Sequence, residues 1–150
     1  MKSKSDCVFC ESPDIKGRTV AENALAFAFL TNIPITPGHI LVSPKRCVSD
    51  FFEMSLGEKK AVLELAGEMR AVLVKSFGAE GFNFAWNDGE VGGQNVPHFH
   101  LHIVPRKAGD IGIIEYEPRK FLYRPGSREQ SPELELQAVA KVIKSFMGGK

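Results

Sequence analysis

No apolar run in this chain is long enough to cross a bilayer. The longest, roughly Ala24 to Leu30, stops far short of the about 20 residues a membrane helix needs. An excess of one charge is missing as well: 19 Lys and Arg face 18 Asp and Glu, a formal net charge of +1. Nothing therefore draws the molecule as a whole toward nucleic acid or an anionic membrane, and neither is expected as a partner. Cysteine is scarce, with three residues, and an odd, small number excludes a disulfide framework as the basis of the fold. The opening MKSKSDCVFC has two lysines but no apolar segment behind them. No secretory signal is expected, and the expected compartment is the cytoplasm. Internal repeats and low-complexity tracts are not evident.

What is present fits one domain over 1–150: 43% of residues are hydrophobic and 25% charged, enough chain and apolar content for a real core. "ALAFAFLTNIPITPGHILVSPK" predicts two strands, Ala24–Leu30 and Ile40–Pro44, punctuated by Pro34, Pro37 and Gly38. The segment Ser55 to Phe77 predicts a helix. Ser55 and Glu58 form a capping box, and Val62, Leu65, Met69, Val72 and Leu73 recur at helical spacing. "GFNFAWND" and "HFHLHIVP" predict strands on either side of a turn-rich stretch. Beyond Arg106 a charged excursion is expected to hold an edge strand near Ile113–Tyr116. A last helix starts at Ser131 with Pro132 in its first turn, and Leu136, Val139, Ile143 and Phe146 make its packing stripe. The expected class is α+β: a mostly antiparallel sheet of about five strands with two packed helices.

Histidine is the residue whose distribution is uneven. Of four, three fall in five positions, His98, His100 and His102, and the fourth is His39. Successive strand residues face opposite ways, so the three imidazoles are expected on one face of a strand, with Phe99, Leu101 and Ile103 entering the core. Such a row suits a divalent metal, or a nucleophile toward phosphorus with neighbours that hold the anion. Spacing alone leaves both open. The stretch just before it, "DGEVGGQNVP", adds Gly89, Gly92 and Gly93 for close backbone approach and Gln94 and Asn95 as uncharged donors, as an anion pocket would.

These residues resemble the histidine triad (HIT) family of nucleotide hydrolases and transferases, especially its prokaryotic zinc-binding branch. His98-Phe99-His100-Leu101-His102-Ile103-Val104 matches the family pattern of three histidines alternating with apolar residues. "PITPGHILVSPKR" resembles its first-half motif, and "GFNFAWNDGEVGGQNVPHFHLHIVPR" the segment leading into the triad. The resemblance covers about residues 6–106, leaving 107–150 as a C-terminal arm and helix. It implies a HIT-like fold and attack by His100 on the α-phosphate of a purine nucleotide conjugate, a dinucleoside polyphosphate or nucleoside phosphoramidate. A nucleotidyl-histidine would form, then be hydrolysed. His102 would bind phosphate oxygens and His39 would help orient the nucleophile. Asn95, with Gln94 and Gly93, would face the phosphate. Phe9, Phe29 and Asn87 would line the nucleoside pocket, with Thr31 where the family carries Asp or Asn for the ribose. Mg²⁺ would come, if at all, with the substrate. The alternatives are a nucleotide-binding or sensing protein without turnover, or a phosphorylase. The family also pairs as homodimers.

Cys7 and Cys10 form a Cys-x-x-Cys, which by itself fits redox chemistry, metal binding or neither. The resemblance adds Cys47, where the prokaryotic branch carries a histidine. It implies structural Zn²⁺ on Cys7, Cys10, Cys47 and His98, using every cysteine of the chain.

Overall fold

The alternation in "AFAFL" and "HILVSP" is the physical origin of the sheet: each strand offers one apolar side to a core and a second side to something else. A computed structural model describes residues 6–110 and 129–148. Its strands are β1 (Thr19–Glu22), β2 (Ala26–Leu30), β3 (Ile40–Pro44), β4 (Gly81–Ala85) and β5 (Leu101–Arg106). They form one sheet in the order β1-β2-β3-β5-β4, and every adjacent pair is antiparallel. The helices are α1 (Val8–Glu11), α2 (Pro13–Gly17), α3 (Leu56–Phe77) and α4 (Glu133–Met147). The expected α+β architecture is the observed one, with two short helical segments added before the sheet.

The sheet's two faces have different jobs. Ala26, Ala28 and Leu30 of β2, Ile40 and Val42 of β3, and Leu101 and Ile103 of β5 pack in one core with Leu65, Met69 and Leu73 of α3 and Ile143 of α4. On the other face Phe29 and Leu41 join Ile15 of α2, with Phe9 and Phe27 packed against them. Helices α3 and α4 thus hold the sheet from behind, while α1 and α2 border the site on its front.

Helix α3 begins as its sequence dictates. Ser55 Oγ accepts from the Glu58 N–H at 3.0 Å, and Glu58 Oε1 accepts from the Ser55 N–H at 2.9 Å. It ends at Gly78, whose φ of 64° is the left-handed turn that glycine adopts without steric cost.

Four expectations need correction. β2 starts at Ala26 rather than Ala24, because Asn23 Oδ1 accepts from the Leu25 and Ala26 N–H groups and turns the chain there. β4 stops at Ala85, before Trp86. The last helix begins at Glu133, with Pro132 as its extended N-cap. Most consequential, β5 begins at Leu101, so His98 and His100 precede the regular ladder. The Phe99 N–H bonds to the Val48 carbonyl at 2.7 Å, which is loop pairing, while Phe99 still points into the core. The expected strand near Ile113–Tyr116 lies outside the described residues.

Candidate active site and metal centre

Three histidines reach the front of the sheet from one stretch of chain, and the hydrogen bonds distinguish them. His100 Nδ1 lies 2.8 Å from the His98 carbonyl oxygen. A carbonyl only accepts, so Nδ1 carries the proton and the lone pair sits on Nε2. The ring is half-buried, and its desolvation holds the pKa below the ordinary imidazole value, against the opposing pull of the His98 carbonyl. A neutral ring with one fixed N–H is the form in which imidazole is a nucleophile.

His102 sits beside it, ring centroids 5.2 Å apart, and His39 stands behind His102 with Nε2 3.0 Å from His102 Nδ1. The Ile35 N–H donates into His39 Nδ1 at 3.0 Å. His39 Nδ1 is therefore an acceptor, its proton is on Nε2, and it donates to His102 Nδ1. The proton of His102 is then on Nε2, a donor suited to a phosphoryl oxygen. His39 thus touches His102, the ring beside the expected nucleophile.

His98 belongs to a different constellation. It is fully buried, its Nε2 donates to the Pro44 carbonyl at 2.6 Å, and Nδ1 is left facing Cys7 Sγ at 3.2 Å and Cys10 Sγ at 3.6 Å. Cys7 is the N-cap of α1 and Cys10 lies inside it, so a three-residue spacing aims both thiols one way. Cys47 completes the group, and the four donor atoms all lie within 4.8 Å of one another. Zinc–sulfur and zinc–nitrogen bond lengths place such atoms about 3.6 Å apart around a tetrahedral ion, so the donor set fits one zinc. Burial, reinforced by Cys7 and Cys47, pushes the Cys10 thiol up to about 12. Arg46, next to Cys47, clamps Glu58 of α3 with Nε and a terminal nitrogen at 3.0 and 2.8 Å, tying the Cys47 segment to the helix.

In front of His100 and His102 lies a cavity of ≈ 230 Å³. Phe9, Ile15, Phe29 and Leu41 make its apolar wall, and Phe9 meets Phe29 edge-on at 5.0 Å and His100 at 5.1 Å. Thr31, Asn87, Gly93 and Asn95 also line it. Asn87 is buried and spans the turn, donating from Nδ2 to the Gly93 carbonyl at 3.1 Å. Gln94 is among the expected substrate donors but does not line the cavity. Its carboxamide accepts from the Gly89 N–H and donates to the Ser49 carbonyl, both at 3.0 Å, so it fastens the turn.

Sequence reasoning missed Arg18, Asn32 and Gln130, which line the same cavity. Arg18 is buried, donates from Nε to the Leu30 carbonyl at 2.7 Å, and pairs with Glu133 of α4. The partners are 115 residues apart, and no local pattern announces such a pair.

The HIT domain family matches residues 12–109, and the chain belongs to that family. The bis(5′-adenosyl)-triphosphatase of Dictyostelium discoideum is 34% identical over 108 residues, covering 72% of this chain and 69% of that protein. The adenosine 5′-monophosphoramidase hnt1 of Schizosaccharomyces pombe is 34% identical over 109 residues, covering 71% and 79%. A ZN-bound histidine triad family protein from Mycobacterium smegmatis shares the fold, with TM-score 0.73, 24% identity, and coverage of 99% of this chain and 100% of that one.

Proposed function

We propose that this protein hydrolyses purine nucleotide conjugates at the α-phosphate, through a nucleotide bonded to His100. The observation that carries the reading is the fixed tautomer of His100, Nδ1–H on the His98 carbonyl, at a cavity with an apolar wall. In the first step the Nε2 lone pair forms an N–P bond while the bond from phosphorus to the leaving oxygen or nitrogen breaks, its electron pair departing with the leaving group, which as an amine takes a proton from solvent as it goes. The ring becomes cationic, and the Nδ1–H···O=C bond to His98 supports that charge. The Nε2–H of His102 and donors of the 87–95 turn balance charge on the phosphoryl oxygens. In the second step water attacks phosphorus and gives a proton to solvent, the N–P bond returns its pair to Nε2, and a nucleoside monophosphate leaves. The base rests against the apolar wall that Phe9, Ile15, Phe29 and Leu41 make. Relatives named for triphosphatase and phosphoramidase activities support both substrate classes.

The same reading gives Cys7, Cys10, Cys47 and His98 to one structural zinc, as the tight donor cluster supports. Four protein ligands leave no position for substrate, so the ion supplies rigidity, fixing His98 and hence the carbonyl that orients His100. The working unit is a homodimer in the cytoplasm: among the described residues β4 is an edge strand, and Phe84 and Trp86 at that edge are 49% and 41% exposed. Among the described residues no helix is long and apolar enough to cross a membrane.

The test is a panel of diadenosine triphosphate, diadenosine tetraphosphate and adenosine phosphoramidate, with wild type and His100→Asn. Consumption by wild type, its loss in the variant with nucleotide binding retained, and an adduct on His100 after rapid non-acidic quenching are expected. Equal turnover by the variant overturns the mechanism.

A further inference from the structure

His100 and His102 give the cavity its reacting groups, and Phe9, beside His100, with Phe29 gives it an apolar wall, but a nucleotide held there also presents a sugar diol to the polar lining. Thr31 is poorly suited to it. The residue is 5% exposed, and its single hydroxyl accepts from the Ile33 N–H at 3.3 Å, leaving one proton to give. Arg18 gives Nε to the Leu30 carbonyl and one terminal nitrogen to Glu133, and as a donor alone it cannot accept from a hydroxyl. Among the polar groups lining that side, Asn32 and Gln130 remain, and neither carboxamide makes a hydrogen bond among the described residues. Each offers both a donor and an acceptor, which is what a vicinal diol requires.

Gln130 does not arrive there by chance contact. The Ser131 N–H donates to the Asn32 carbonyl at 2.8 Å, and three residues after Gln130 the Glu133 carboxylate pairs with buried Arg18. These two ties, one main-chain and one ionic, seat the start of α4 against the loop after β2. They bring Gln130 and Asn32 to one rim, although 98 positions separate them in sequence. A second recess, lined by Arg18, Asn32, Gln130 and Glu133, continues from the cavity at this point.

We propose that Gln130 and Asn32 recognise the ribose hydroxyls, so that the C-terminal segment sets the preference for ribonucleotides over deoxyribonucleotides. The inference rests on the nucleotide reading above. Losing two hydrogen bonds to the sugar weakens binding by on the order of tenfold.

Calorimetric titration of zinc-loaded protein with AMP, 2′-deoxy-AMP and 3′-deoxy-AMP tests it, alongside KM and kcat for the matching phosphoramidates. Wild type should prefer AMP severalfold over either deoxy form, since each lacks one of the two hydrogen-bonded hydroxyls. The Asn32→Ala/Gln130→Ala double variant should bind all three alike, about tenfold more weakly than wild type binds AMP, and raise KM with kcat retained. A general structural defect would weaken all three ligands by one factor and keep the preference. That outcome, or wild-type discrimination persisting in the double variant, overturns the inference. A wild type that discriminates in binding yet consumes no conjugate overturns the hydrolase reading alone, and one that does not bind AMP overturns both.

Discussion

His39 donates from Nε2 to Nδ1 of His102 across 3.0 Å, and the direction is set by the Ile35 N–H entering His39 from its far side. The backbone thus chooses the tautomer of a ring two side chains away. His39→Phe removes that choice and lets the His102 proton move to Nδ1, away from the phosphoryl oxygen. The expected result is kcat lower by about 10²-fold with little change in substrate affinity. Nitrogen-15 chemical shifts of His102 should show the Nε2–H tautomer in wild type and a mixture in the variant.

Metal removal should loosen more than it inactivates directly. Chelation of the zinc is expected to lower Tm by at least about 10 °C, since structural zinc binding is worth many kcal/mol and each kcal/mol shifts a domain this size by several degrees. Cys47→Ala should lose the ion at equilibrium, whereas Cys47→His should keep it, because imidazole is an equally good ligand. Zinc content by atomic absorption and Tm by calorimetry check both. Full metal retention in Cys47→Ala would remove Cys47 from the site.

The Glu58 carboxyl is held down to about 2, chiefly by hydrogen bonds from Arg46, which outweigh the opposing effect of burial. A carboxyl with a lowered folded pKa binds fewer protons than its unfolded counterpart between about 2 and its ordinary 4.5. Its stabilisation is complete above 4.5 and is lost as the pH falls through about 2. Glu58→Gln keeps the capping box, because a carboxamide oxygen also accepts from the Ser55 N–H, but it loses the charged pairing with Arg46 and should be modestly less stable than wild type near neutrality. The two proteins should converge in stability across that acid window. Thermal melts from pH 7 to 2 measure the difference.

How far the sequence discloses this molecule depends on whether a feature is periodic or conjunctive. Alternation in "HFHLHIVP" identifies Phe99, Leu101 and Ile103 as core residues even though two of the three histidines lie ahead of β5, because the inward positions stay periodic after the ladder stops. The capping box of Ser55 and Glu58 is a local signal and appears as written. α1 and α2, at four and five residues, are too short to show a helical period, and β1 has an irregular register between Thr19 and Ala21. Gln94 looks like a ligand donor by composition. Only the fold shows its carboxamide spent on Ser49 and Gly89. Arg18, Asn32 and Gln130 carry no motif, and they meet through contacts across nearly the whole chain.

The turn that Gln94 fastens gives a last prediction. A β-carbon on Gly92 would lie 2.4 Å from the Asp88 carbonyl oxygen, closer than any real contact of that kind, and the obstacle is backbone that no rotamer change can move aside. Gly92→Ala must therefore shift the turn, at a cost of about 1–3 kcal/mol. Asn87, Gly93 and Asn95 line the cavity from this turn, so a displacement of about 1 Å reaches the phosphate side and can lower kcat/KM by as much as 10²-fold. Val91, 99% exposed in the same turn, supplies the control: Val91→Ala changes the neighbouring residue without touching the carbonyl, and should leave both stability and rate near wild type. Equal rates for the two variants would mean that the turn's geometry does not govern the phosphate side, whatever Gly92→Ala does to the melting temperature.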